Sequence, residues 1–170
     1  MKVLITKEEL EKRIDELASA ISADYEGTRP VLICVLKGAV FFIADLVRRL
    51  PFDLEIEFMA VSSYGQSSES SGVVRILKDL ETDIEGRHVL IVEDVIDSGL
   101  TLQYLTRSLK ARNPASLETV TLLSKPSRRT AELECRYTGF EISNEFVVGY
   151  GLDYAEKYRN LPAIAVLDGE

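Results

Sequence analysis

Two continuous apolar runs stand out along the chain, Val31 to Leu36 and Val89 to Val92. Both are rich in β-branched residues, as strands buried on both faces require. Each leads through a short polar stretch into apolar positions at helical spacing. After Leu36-Lys37-Gly38 come Val40, Phe41, Ala44, Val47 and Leu50, so a helix is expected until Pro51. After the second run, Leu102, Leu105 and Leu109 recur with Thr106 on the same face until Asn113-Pro114. Nearer the N-terminus, Thr6-Lys7-Glu8-Glu9 reads as a capping box, with Ile5 and Leu10 as its hydrophobic staple. The stripe Leu10, Ile14, Leu17, Ala18 and Ile21 then predicts a packing helix to about Ala23, with no chemistry of its own.

The remaining pattern is mostly strand. Leu54, Ile56 and Phe58 alternate with Asp53, Glu55 and Glu57, predicting a strand with one solvated face. It runs through Met59-Ala60-Val61 into a Ser/Gly-rich stretch, and Val73 to Leu77 is read as the returning strand. The stretch between, about residues 63–73, holds too little apolar surface to order itself and is expected to be a flexible loop. Leu117 to Leu123, Tyr137 to Ile142 and Ile164 to Leu167 complete the strands. Strands alternating with helices predict one α/β domain over residues 1–170, a mainly parallel twisted sheet flanked by helices.

The second strand–helix junction carries the clearest chemistry. Its strand ends in Glu93-Asp94, and Asp97-Ser98-Gly99-Leu100-Thr101 leads to the helix start. Free backbone N–H groups and the positive dipole end there favour an anion, and Gly99 lets the backbone approach closely. Glu93 and Asp94 would repel a phosphate laid directly on them, and fit better against sugar hydroxyls or a metal ion beside it. A ribose phosphate meets both requirements. On residue type alone, Asp97 is also a helix-cap carboxylate, Lys37 and Lys125 are solvated lysines, Phe146 is core, Asp153 is a turn aspartate and Arg159 is a surface charge.

Charge and composition narrow the classes. A net charge of −8 argues against a general nucleic-acid binder, which needs a basic face. No apolar run reaches membrane-spanning length, and the N-terminus lacks a secretory apolar region. Cys34 and Cys135 show neither metal-ligand spacing nor a disulfide framework, so a reducing cytoplasm is the expected setting. No early Gly-x-Gly-x-x-Gly, Walker A lysine or nucleophile elbow is present. His88, the single histidine, is read as a surface residue at a strand start rather than a general base.

The Glu93-Asp94-Val95-Ile96-Asp97-Ser98-Gly99 stretch resembles the 5-phosphoribosyl-1-pyrophosphate signature of type I phosphoribosyltransferases, in the form of the hypoxanthine-guanine enzymes. Phe146-Val147-Val148-Gly149-Tyr150-Gly151-Leu152-Asp153-Tyr154 resembles that family's second fingerprint. The resemblance spans roughly residues 31–168, and it implies a fold with a small hood built from the N- and C-terminal segments. It implies transfer of the 5-phosphoribosyl group to N9 of hypoxanthine or guanine, with Mg²⁺ as cofactor and a homodimer or homotetramer. By the same resemblance, Glu93 and Asp94 contact the ribose, and Asp97, Ser98, Gly99, Leu100 and Thr101 surround the 5-phosphate. Asp97 is also the acid/base group at purine N7. Lys37, Gly38, Ser63, Tyr64 and Arg159 bind pyrophosphate, the segment 63–73 being a lid. Lys125, Phe146, Val147 and Asp153 belong to the purine side, and Glu93, Asp94 and Asp153 to the metal. Ser98 and Leu100 depart from relatives that carry Thr and Lys there, as does Glu145 from relatives with a basic residue. An RNA-binding pyrimidine attenuation regulator of the same fold is the alternative, and the acidic balance weighs against it.

Overall fold

A computed structural model describes residues 1–63 and 74–168. Its centre is a six-stranded sheet. The strands are β2 (Val31–Leu36), β3 (Glu55–Ser63), β4 (Val74–Lys78), β5 (His88–Ile96), β6 (Ser116–Ser124) and β7 (Tyr137–Glu141), in the order β4-β3-β2-β5-β6-β7. All neighbouring pairs are parallel except β3 with β4, which form an antiparallel edge.

The apolar runs explain the two-sided core. In β2, Leu32 and Cys34 face one layer while Val31 and Ile33 face the other, each wholly buried. On the first side lie helices α1 (Lys7–Asp24) and α2 (Val40–Val47), which bring Leu10, Ile14, Phe42 and Leu46. On the second lies α3 (Leu100–Lys110), through Leu102, Leu105 and Leu109. The capping box of α1 forms as expected: the Glu9 amide donates to Thr6 Oγ1 at 3.2 Å, and the Thr6 amide to Glu9 Oε2 at 2.8 Å. A separate three-stranded sheet joins β1 (Lys2–Ile5), β9 (Ile164–Val166) and β8 (Val147–Val148), all antiparallel. Strands from near the two ends of the chain thus meet in one small sheet apart from the central one. No helix among the described residues is long and apolar enough to cross a membrane.

Two expectations need correction. Helix α2 ends at Val47, and Arg48 to Leu50 finish in tight turns, with the Arg49 amide on Leu46 O and the Leu50 amide on Val47 O. The alternation in β3 misassigned its solvated face. Ile56 is 43% exposed, whereas Glu57 is buried. Register gives the reason: Glu57 pairs with Ile33 and Met59 with Val35, so this face joins the α3-side core. Ile56 pairs with Leu32 on the other face, where α2 packs chiefly over β2 and β5.

Candidate active site

The parallel strands deliver their C-terminal ends to one edge, where open α/β sheets bind ligands. β5 supplies the centre of this edge. Glu93 is buried within the strand, and Asp94 follows on the opposite face. Burial, reinforced by the charge of Asp94, pushes the Glu93 carboxyl well up. Burial also raises Asp94 to about 6, with Asp97 adding to the shift and the Val95 amide and Arg159 opposing it. The Val95 amide donates to Asp94 Oδ1 at 2.7 Å.

Asp94 fixes what stands across from it. A Cβ on Gly38 would lie 1.7 Å from Asp94 Oδ2, so any side chain after Lys37 would displace that carboxylate. On the other side of Gly38, a Cβ on Gly151 would lie 2.3 Å from Gly38 O. The β2–α2 turn is therefore wedged between a carboxylate of the central strand and the backbone of the C-terminal segment.

Beyond β5 the chain turns sharply into α3. Gly99 occupies the N-cap position at φ 85°, a left-handed conformation that costs an L side chain energy. A Cβ there would also meet Leu133 Cδ2 at 2.5 Å. Ser98 Oγ accepts the Leu100 amide at 3.3 Å. A cavity of about 200 Å³ opens above this turn, lined by Glu93, Asp94, Asp97, Ser98, Gly99 and Thr101 among others. Leu100 opens the helix but does not line the cavity. Among the described residues, no lysine or arginine lines it.

A second cavity of about 530 Å³ shares Asp94, Val95 and Asp97 with the first. Its walls bring together Lys37, Gly38, Lys125, Phe146, Val147, Asp153 and Arg159. Lys125, readable from composition as a surface lysine, is 8% exposed, and its ammonium lies 3.5 Å from Asp97 Oδ1. Phe146, readable as core, is instead 53% exposed, edge-on to Tyr154 with ring centres 5.7 Å apart. Burial does not fit a solvated surface lysine at 125, and exposure does not fit a core phenylalanine at 146.

The predicted metal set is not brought together as a cluster. Asp94 and Asp153 share the larger cavity, while Glu93 lines the smaller one. Asp153 is engaged by the Glu156 amide at 2.8 Å and by Arg159 at 3.4 Å. Among the described residues, no group of three or more potential ligands is placed to hold a metal alone. Ser63 ends β3 opposite Val74, and Tyr64 and the expected lid segment lie outside the described residues.

Several contributors escaped the sequence reading. Glu156 bridges the two expected pyrophosphate cations, reaching Lys37 at 3.4 Å and Arg159 at 3.1 Å. Arg129 contacts both the Asp97 carbonyl and Ser124 Oγ. Both lie in stretches of mixed charge, where nothing in the local pattern separates a tethered side chain from a solvated one. His88, set aside as a base, pairs its Nδ1 with Ser116 Oγ at 2.7 Å, away from both cavities.

Comparison with known proteins agrees with this geometry. Residues 4–155 match the phosphoribosyl transferase domain family. The chain is 54% identical over 166 residues to a hypoxanthine-guanine phosphoribosyltransferase of Bacillus subtilis (strain 168), covering 98% of this chain and 92% of that protein. It is 58% identical over 172 residues to the enzyme of that name from Mycobacterium tuberculosis (strain H37Rv), covering 98% and 85%. A crystal structure of a hypoxanthine-guanine phosphoribosyltransferase from Bacillus anthracis superposes with a TM-score of 0.95 at 48% identity, covering 99% of both chains.

Proposed function

The chain belongs to the phosphoribosyltransferase family, and from that premise we propose how its two cavities divide the work of purine salvage. The enzyme transfers the 5-phosphoribosyl group of 5-phosphoribosyl-1-pyrophosphate to N9 of hypoxanthine or guanine. The smaller cavity takes the 5-phosphate on the backbone amides and hydroxyls of Asp97 to Thr101, Leu100 contributing through its main chain. Glu93 and Asp94 face the ribose. The larger cavity takes the purine against Phe146, with the Val147 backbone along the base edge, and takes the pyrophosphate at Lys37, Gly38 and Arg159, to which the resemblance adds Ser63 and Tyr64.

The observation that carries this reading is the buried Lys125 facing the half-exposed Asp97 carboxylate beside the exposed Phe146 ring. O6 and N7 are neighbouring acceptor and donor on a 6-oxopurine. An ammonium donating to O6 and a carboxylate accepting from N7–H match them in order. An adenine amino group would meet the lysine donor to donor. As N9 bonds to C1′, the C1′–O bond breaks and pyrophosphate leaves with the bond electrons. Asp97 accepts the N7 proton, which neutralises the charge developing on the purine. The transition state has oxocarbenium character, which the carboxylates beside the ribose stabilise.

The donor set suits Mg²⁺. Hard carboxylate oxygens are its preferred protein ligands, and the raised carboxyls of Glu93 and Asp94 mark an acidic pair short of positive charge. With no three-carboxylate cluster available, Asp94 or Asp153 would hold the ion together with substrate oxygens, as is usual for Mg²⁺ on phosphates. When bound, it neutralises the departing pyrophosphate. Assembly as a homodimer or homotetramer belongs to the same reading, as does a cytoplasmic setting in which Cys34 and Cys135 stay free thiols. The regulator alternative has no support among the relatives described above.

The test is nucleotide formation from 5-phosphoribosyl-1-pyrophosphate and Mg²⁺ with hypoxanthine, guanine, xanthine, adenine or uracil, each alone. Turnover with 6-oxopurines and none with adenine or uracil is expected. Turnover confined to uracil would overturn the purine assignment.

A further inference from the structure

A 5-phosphate cradle needs the amides of the Asp97–Gly99 loop turned towards the cavity. In a trans peptide the C=O and N–H point in opposite directions, so a held carbonyl fixes the amide on the other side of the same plane. Both relevant carbonyls are held. Arg129 Nε donates to Asp97 O at 3.3 Å, and the amides of Thr130 and Ala131 donate to Ser98 O at 3.0 and 3.1 Å. The partner amides of those planes belong to Ser98 and Gly99, two of the residues that line the smaller cavity.

Arg129 is itself anchored. Its Nη2 donates to Ser124 Oγ at 2.8 Å, and its Cδ lies 3.0 Å from where a Cβ on Gly99 would stand. The single 3-10 turn Pro126–Arg128 separates it from Lys125, with the Arg128 amide on Lys125 O at 3.0 Å. One short segment thus carries both the lysine that faces the Asp97 carboxylate and the arginine that holds the Asp97 carbonyl. The cavity wall offers a dianionic phosphate three carboxylates and, among the described residues, no cation. The guanidinium behind the loop is the positive group that polarises the Asp97–Ser98 peptide.

We propose that Arg129 is a positioning residue for the phosphate end of the site, clasping the loop from outside so that the Ser98 amide faces the 5-phosphate and the Asp97 carboxylate faces Lys125. This rests on the reading of that loop as the 5-phosphate cradle. A lysine would keep the charge but lose the fork that reaches Asp97 and Ser124 together.

Arg129→Gln, Arg129→Lys and Ser124→Ala test it, each first checked for a cooperative thermal transition. Ribose 5-phosphate affinity is read by calorimetry, and KM for each substrate and the pH profile of kcat by steady-state kinetics. Arg129→Gln should weaken ribose 5-phosphate and raise KM for 5-phosphoribosyl-1-pyrophosphate by about tenfold, the scale of one charge-assisted hydrogen bond, leaving KM for the purine within about twofold. It should also shift the acidic limb of the pH profile. Arg129→Lys should fall between it and wild type, and Ser124→Ala should lose about threefold. Folded variants with wild-type phosphate affinity, or with both KM values raised alike, would overturn the clasp. An inactive wild-type protein whose ribose 5-phosphate binding still depends on Arg129 would overturn the proposed reaction and uphold the clasp. A wild type that fails to bind ribose 5-phosphate would overturn both.

Discussion

The loop after β5 is gripped through its carbonyls by Arg129, Thr130 and Ala131, and it packs on Leu133. At the far end of the site, Lys37, Asp153, Glu156 and Arg159 are held chiefly by pairing among their side chains. Lys37 and Glu156 are more than half exposed, where an ion pair contributes little and exchanges readily. Arg159 nevertheless holds the Glu156 carboxyl below its usual range. On the proposed assignment, the inner end is fixed before substrate arrives, and the outer end gives up internal pairs to receive an anion. A phosphate common to substrate and product suits the first arrangement. A pyrophosphate that has to depart suits the second.

The contrast can be broken by experiment. The largest effect should come from Gly99→Ala, which adds a Cβ 2.5 Å from Leu133 at a left-handed φ. A drop of about 100-fold or more in kcat/KM for 5-phosphoribosyl-1-pyrophosphate is expected, because a loop displaced by an ångström loses its aligned donors. Near-normal kinetics would mean that the inner end is as adaptable as the outer one.

A smaller effect should appear in stability against pH. Burial raises the Asp94 carboxyl from its ordinary 3.8 to about 6, so the fold prefers it protonated. Its contribution is fully present below about pH 4, where folded and unfolded forms are both protonated, and is lost as pH rises through about 6. Without divalent metal, Asp94→Asn should therefore raise Tm at pH 7 by a few degrees, roughly the shift expected of a 1 kcal/mol change, and leave it unchanged near pH 4. Thermal scans across that range decide it, and a fall in Tm at pH 7 would refute the strained-pair account.

The smallest change belongs to Glu156→Gln. Freeing Lys37 and Arg159 should lower KM for 5-phosphoribosyl-1-pyrophosphate by no more than about threefold, consistent with an exposed pair. A tenfold rise would instead make Glu156 a direct participant.

How far the sequence discloses the molecule follows the same division. The inner end is written in consecutive residues: an apolar run, two carboxylates, a glycine and a helical stripe. Local rules therefore place β5, the turn and α3, and they place the capping box of α1 equally well. The outer end and the Arg129 clasp join residues far apart in the chain, such as Lys37 with Glu156, and charge alternation alone does not reveal such partners. Ile56 and Glu57 mislead for a related reason. Alternation separates two faces but does not say how fully each is covered, and Ile56 lies where its face is left open. Lys125 and Phe146 look ordinary by residue type. Only the burial of the lysine and the exposure of the ring set them apart.

Gly38, wedged between the Asp94 carboxylate and the backbone of Gly151, has a consequence for anyone recombining this enzyme with a relative. The contact joins three segments far apart in the chain, and it depends on the absence of a side chain at both Gly38 and Gly151. A crossover that imports residues 146–168 from another protein inherits this joint along with the purine side. It succeeds only if the imported chain brings glycine to position 151 and meets glycine at 38. Segment boundaries chosen by loop position alone would miss that condition. Boundaries chosen to keep positions 38, 94 and 151 from one parent would respect it, and they mark where a modular exchange of base specificity should be cut.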